Sequence, residues 1–286
     1  MPIDVEIALS AELDPIKFSW TSSDVQLYQL SLGAGTDPMD PRELRYLLDD
    51  TPQVLPTFAT VAATFHTTKP PTVQFPGIDI ELNQILHASE WVEVPTPLPP
   101  SGSAIGVTRF TDIWDKGKAA VIWSETQVRD VDGTLLWMQK RSIYVRGEGG
   151  FGGYRGPSRS DTIPAREPDL EVSMPLLPQQ ALLYRLCGDR NPLHSDPEFA
   201  TAAGFPQPIL HGLCTYGMAC KVITDALLDG DASAVAAYGA CFAGVAFPGE
   251  ALQVNIWKND GRFVATVVAP SRGNATVLSD VALVLA

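Results

Sequence analysis

Between His211 and Leu228 apolar residues return at Leu213, Met218, Val222, Ile223 and Leu227, which predicts one apolar face of a helix that Gly230 brings to an end. After it the period shortens. Ala251 to Trp257, Phe263 to Ala269 and Thr276 to Leu285 alternate or run apolar and read as strands, with Asn259-Asp260-Gly261 as the turn between the first two. Earlier in the chain, Leu82 to Val94, Gly106 to Trp114, Ala119 to Val128 and Leu135 to Val145 read the same way, separated by Asp115-Lys116-Gly117 and Asp132-Gly133. Helices in one block and strands in another predict an α+β chain in which antiparallel sheet packs on helix.

The pattern occurs twice. Asp24 to Leu30 parallels Gln180 to Leu186, Val54 to Phe58 parallels Ile209 to Leu213, and Ile113-Trp114 parallels Ile256-Trp257, each of the last pair followed by an alternating run. Each unit is expected to hold a short helix, an irregular segment, a longer apolar helix and then strands. Gly147 to Gly153 opens a stretch rich in Gly, Ser, Pro and Arg that continues to about Pro168 without hydrophobic period. The expected division is therefore residues 1–150, a linker at 151–168, and residues 169–286. The glycines are not a phosphate cradle, since no Gly-Lys-Ser or Gly-Lys-Thr comes after them.

Composition narrows the possibilities. With 286 residues, 45% hydrophobic and 19% charged, the chain can build one large or two modest cores. A net charge of -13 argues against nucleic acid as a partner, because such binding depends on Lys and Arg at phosphates. Met1 to Leu13 has neither the basic start nor the apolar run of a secretory signal, so a cytoplasmic location is expected. No run is long enough to span a bilayer, which takes about 20 apolar residues, so no membrane role is expected. The four cysteines, Cys187, Cys214, Cys220 and Cys241, make no CxxC pair and read as free thiols.

The candidate chemistry sits at Gly188-Asp189-Arg190-Asn191-Pro192-Leu193-His194. Pro192 keeps Asp189 and His194 off one regular helix, and an ordered turn can aim both at one point, where a carboxylate and an imidazole can deprotonate a water and reprotonate a product. Tyr184 to His194, with Ser195 to Ala200 after it, resembles the hydratase 2 motif of the MaoC-like (R)-specific enoyl-CoA hydratases. Gly204 to Leu213 resembles the segment that leads into that family's central helix.

The resemblance implies a double hot-dog, antiparallel sheets each wrapped around a central helix, with residues 1–150 a degenerate acyl-binding half and residues 169–286 the catalytic half. Ser31 to Pro38 holds the place of the catalytic turn in the first unit and has no histidine, so one active site is implied. The implied reaction is reversible hydration of trans-2-enoyl-CoA to (3R)-3-hydroxyacyl-CoA, in fatty-acid or steroid side-chain β-oxidation. Asp189 and His194 are the expected catalytic pair and Asn191 a support. The backbone amide of Gly212, at a helix N-terminus with no intrahelical acceptor, is the expected oxyanion donor. His211 is expected to be structural. Coenzyme A enters as part of the substrate, no further cofactor or metal is expected, and a homodimer is common in the family. The rival readings are a hot-dog acyl-CoA thioesterase and a non-catalytic acyl-CoA-binding partner subunit. One departure stands out: Cys241 occupies the place of an Arg usual before Phe242, with Arg155, Arg185, Arg190 and Lys221 as candidate substitutes.

Overall fold

The computed structural model describes residues 2–49, 51–157, 163–259 and 261–286. Residues 158–162 of the expected linker and Asp260 of the expected turn lie outside the described residues. In chain order come α1 (Val5–Ser10), β1 (Ile16–Trp20), α2 (Ser22–Ser31), α3 (Pro41–Leu44), β2 (Gln74–Phe75), β3 (Ile78–Asp79), β4 (Ile85–Glu93), β5 (Gly102–Asp115), β6 (Ala119–Asp130) and β7 (Leu135–Arg146). After these come β8 (Leu170–Pro175), α4 (Gln180–Tyr184), α5 (Pro197–Ala202), α6 (Gly212–Leu228), β9 (Val235–Phe242), β10 (Ala251–Asn259), β11 (Arg262–Ala269) and β12 (Ala275–Leu285).

Ten of the strands form one antiparallel sheet in the order β1-β5-β6-β7-β4-β9-β12-β11-β10-β8. The order is two copies of one five-stranded unit meeting at β4 and β9. Reversing one half superposes β5 and β6 on β10 and β11, so Trp114 and Trp257 fall near the ends of corresponding strands, as the echo between the units predicts. The seam depends on a small residue. Trp91 pairs with Gly239, and a Cβ on Gly239 would come within 2.1 Å of the Trp91 ring, so glycine lets the indole lie flat across the junction.

Helix α6 packs against β8, β9 and β10 and is enclosed on most sides, with Cys214, Tyr216, Met218, Ala219, Cys220 and Ile223 all buried. It stops where Asp229, at φ 52°, and Gly230, at φ 75°, turn left-handed. Burying such a helix removes its apolar surface from water at about 25 cal/mol per Å².

Among the described residues the first unit has no such helix. Where the echo predicts one, the chain forms two short 3-10 turns, Pro56–Thr60 and Ala62–Thr64. Within these turns the Thr60 hydroxyl donates to the Thr57 carbonyl at 2.8 Å and that of Thr64 to the Val61 carbonyl at 3.3 Å. Phe58, Ala59 and Ala62 are nonetheless buried, so the turns still cap the core. A second small core, containing Ile3, Ile78, Phe110 and Ile122, is closed by the N-terminal segment.

Asp115 ties down the segment after β7. It accepts from the amides of Gly117, Gly150 and Gly152 at 2.7–2.8 Å, and these bonds hold its carboxyl at about 2, below the ordinary 3.8. A carboxylate with a depressed folded pKa adds stability above its unfolded pKa and loses it as pH falls through the folded one. Asp115→Asn should therefore melt at a lower temperature than the wild type at pH 7, with the gap narrowing as pH falls from 4 toward 2 in thermal melts followed by circular dichroism.

Candidate active site

The turn that carries Asp189 and His194 begins where Gly188, at φ 103°, ends the 3-10 turn Arg185–Cys187. Asn191 then organises the residues around it. Its side-chain oxygen accepts from the Leu193 amide at 3.1 Å and caps the 3-10 turn Pro192–His194, while its own amide donates to the Asp189 carboxylate at 3.1 Å. Asn191 thus shapes the turn rather than touching the His194 ring. Asp196 caps α5 through the amides of Glu198 and Phe199.

His194 is 8% exposed. Its Nδ1 lies 2.9 Å from the carbonyl oxygen of Ile209, which can only accept, so Nδ1 carries the proton and Nε2 keeps a free lone pair. Burial lowers the imidazole pKa, against the upward pull of Asp189 and of the Ile209 bond. The ring is therefore neutral at neutral pH, the state a general base requires.

His211 stands beside it. The two imidazoles stack with centroids 3.8 Å apart, and His211 Nε2 lies 3.3 Å from the Asp189 backbone oxygen. His211 Nδ1 is buried with no partner, and burial, then the neighbouring His194, pushes this pKa well down. Expected to be structural, His211 contacts both members of the pair, one by its ring face and the other's backbone by its edge. The available signal was its position as the residue before Gly212, which any helix starting there would bring to the same end of the sheet.

One oxygen of Asp189, one nitrogen of His194 and one of His211 lie within 4.8 Å of one another. Three such groups could ligate a metal, but stacked rings direct their in-plane lone pairs side by side rather than at a common centre. The spacing suits a water bridging the carboxylate and the imidazole.

Gly212 opens α6 beside this group. His211, the N-cap, makes no side-chain cap, and among the described residues no acceptor takes the Gly212 amide proton. That leaves an unpaired donor with the positive end of a 17-residue helix behind it. A cavity of about 240 Å³ reaches His194 between Ala181, Leu182, Pro208 and Pro248. A larger one, about 370 Å³, lies against the middle of α6 and contains none of Asp189, His194 or Gly212.

Of the candidate basic substitutes, Lys221 is taken up by Glu43 and Asp225 at 2.7 Å each, Arg190 Nε donates to the Thr67 carbonyl, and Arg155 is exposed after β7. Arg185 Nε is buried without a partner close to the histidines. Arg272, absent from that set, anchors the Pro248-Gly249-Glu250 turn through Glu250 at 2.7 Å. Burial pushes the Cys187 thiol up to about 12 and raises those of Cys214 and Cys220, so none of these is a ready nucleophile.

Known families and proteins match this chain over nearly its whole length. Residues 159–278 match the MaoC like domain and residues 18–147 match the MFE-2 hydratase 2 N-terminal domain. The chain is 77% identical to the enoyl-CoA hydratase ChsH3 of Mycobacterium tuberculosis over 284 residues, covering 99% of each. It is 37% identical to the peroxisomal enoyl-CoA hydratase 2 of Arabidopsis thaliana, covering 96% of this chain and 93% of that one. A solved MaoC-like dehydratase from Phytophthora capsici aligns with a TM-score of 0.85 at 29% identity, covering 99% of both chains.

Gly188 and Gly33 are both left-handed, at φ 103° and 88°, but a Cβ on Gly188 would meet the Thr64 oxygen at 2.0 Å whereas Gly33 faces open space. Gly33→Ala should cost only the backbone preference, about 1–2 kcal/mol, and Gly188→Ala distinctly more, with loss of turnover, in denaturant melts paired with an assay. Because the His194 pKa is lowered, the acid limb of kcat/KM should lie below pH 6.5; a limb at or above 6.5 would contradict the burial argument.

Proposed function

This chain belongs to the hydratase 2 family of MaoC-like proteins, and on that premise we propose how its groups carry out the family's reaction. It is an enoyl-CoA hydratase that adds water reversibly across the double bond of a trans-2-enoyl-CoA to give a (3R)-3-hydroxyacyl-CoA. We assign the chemistry to Asp189, His194 and the Gly212 amide, with Asn191 holding the turn.

One water sits between the Asp189 carboxylate and His194 Nε2. Asp189 orients it, Nε2 takes its proton, and the oxygen attacks C3. Electron density moves through C2 to the thioester oxygen, which the Gly212 amide meets as the enolate forms. The proton then passes from the pair to C2, so one water supplies both new bonds. General acid-base catalysis of this kind contributes roughly 100- to 10,000-fold, and an oxyanion donor about 3–4 kcal/mol. No added cofactor is needed for these steps, and coenzyme A is part of the substrate.

The observation that carries this assignment is the meeting of a neutral imidazole with a free lone pair and an unpaired helix-terminal amide at one end of α6. A thioesterase would direct its water at the carbonyl instead, and a non-catalytic partner subunit would have no need of the pair. We further propose that residues 1–150 form the acyl-binding half, residues 151–168 the linker and residues 169–286 the catalytic half. The acyl group would lie toward the half whose central helix is replaced by two 3-10 turns, where less backbone stands in the way. That favours long-chain or steroid side-chain thioesters in β-oxidation. A cytoplasmic homodimer is the proposed form; among the described residues no helix is long and apolar enough to cross a membrane.

Absorbance of the enoyl thioester tests the assignment. Wild type should consume enoyl-CoA, while Asp189→Asn and His194→Ala, with unchanged circular dichroism, should lose on the order of 100-fold or more in kcat. Release of free CoA from a saturated acyl-CoA would instead support the thioesterase, and preference for crotonyl-CoA over longer or steroid enoyl-CoAs would sink the acyl assignment.

A further inference from the structure

A bulge in β4 brings a second imidazole and carboxylate together in the first unit, with one aromatic ring between the imidazole and Gly212. The register slips between His87, paired with Ile143, and Ser89, paired with Ser142, so Ala88 is the extra residue. In a regular strand, positions three apart face opposite sides of the sheet; one extra residue brings His87 and Glu90 to the same side. His87 Nε2 lies 2.9 Å from one Glu90 oxygen, and Gln139 donates to the other at 2.8 Å. The Glu90 side chain is wholly buried, while a quarter of the His87 side chain reaches the surface.

A carboxylate in the middle of a sheet is costly unless it is paired and bonded, and a hydrophobic residue would fill the place at less expense. The Ser89 carbonyl oxygen, 3.1 Å from Nε2, and the Glu90 carboxylate on the same side together set the plane of the His87 ring. That ring lies 4.5 Å from the ring of Phe242, tilted by 44°. Phe242 in turn lies against Gly212, where an added Cβ would meet two of its ring carbons at 3.0 and 3.1 Å. The contacts run without a break from Glu90 through His87 and Phe242 to the helix-terminal glycine.

Resting on the hydratase reading, we propose that His87, held by Glu90, is a positioning residue for the oxyanion donor. It backs the Phe242 ring, and the ring fixes the backbone of Gly212 so that its amide meets the developing enolate. Such donors act at about 2.7–3.1 Å from the oxyanion, so a small shift of the ring is felt at the amide. The half of the chain without a catalytic turn thereby supplies part of the machinery, and His87 does so without touching substrate.

The test compares wild type, His87→Ala and His87→Phe, by crotonyl-CoA kinetics and by the backbone order parameter of Gly212 in glycine-labelled protein. In His87→Ala, kcat should fall about tenfold or more with KM within about twofold, because the enolate charge exists only beyond the ground state. The Gly212 order parameter should fall with it. His87→Phe restores a ring behind Phe242 without the polar contact to Glu90 and should recover most of both. Should His87→Ala fail to fold, His87→Gln, which keeps a polar contact to Glu90 but has no ring, makes the same comparison with His87→Phe. A change confined to KM, a loss that His87→Phe does not recover, or an unchanged order parameter overturns the proposal. If the wild type shows no hydratase activity, the hydratase reading falls, and the order parameter alone still decides whether His87 positions Gly212.

Discussion

The contact on which the site depends is one between backbones. Gly188, at the root of the catalytic turn, is seated against the Thr64 carbonyl of the first unit so closely that no side chain fits between them. Arg190, one residue past Asp189, reaches the same strip of chain at Thr67. A turn of Gly, Asp, Asn and Pro has little apolar surface of its own to bury, so its geometry is borrowed from the chain it rests on. The two 3-10 turns of the first unit are that support. The first unit, which has no histidine between Ser31 and Pro38, thus supports the turn that carries Asp189 and His194.

Duplication followed by divergence explains the rest of the arrangement. Two copies of one five-stranded unit make a continuous sheet, and its central seam at β4 and β9 places residues of both copies next to the start of α6. The second copy kept the long helix, whose first amide is unpaired and whose dipole favours a forming oxyanion. The first copy exchanged its helix for shorter turns, leaving that side of the core to Phe58, Tyr28 and Trp20, whose rings lie within 6.3 Å of one another in sequence of contact. In the proposed division of labour, one half binds the reacting end and the other meets the acyl group.

Much of this was legible in the sequence. The long strands β4 to β7 and β10 to β12, together with α6, follow from apolar periodicity, because each buries one face or stripe and its residues must repeat accordingly. Asp189 and His194 were legible because Pro192 and Gly188 force a turn around them. Three features were not. The echo of Val54 to Phe58 with Ile209 to Leu213 implies a long helix in the first unit, where the chain instead forms the 3-10 turns Pro56–Thr60 and Ala62–Thr64. His211 is read as structural when it is counted along the chain, since its ring contacts residues 17 and 22 positions earlier. His87 and Glu90 are invisible as a pair, because a strand separates them onto opposite faces unless a bulge intervenes, and nothing in the pattern of Leu82 to Val94 marks Ala88 as the extra residue.

The proposed chemistry turns on one water, held between Asp189 and His194, that provides both the hydroxyl at C3 and the hydrogen at C2. Hydration in deuterium oxide, with the product's configuration read by proton NMR, examines that water step by step. A single shared water requires a single deuterium at C2 added from the same face as the hydroxyl at C3. Deuterium added from the opposite face, or scrambled between both, would contradict it, because the two new bonds would then need separate donors.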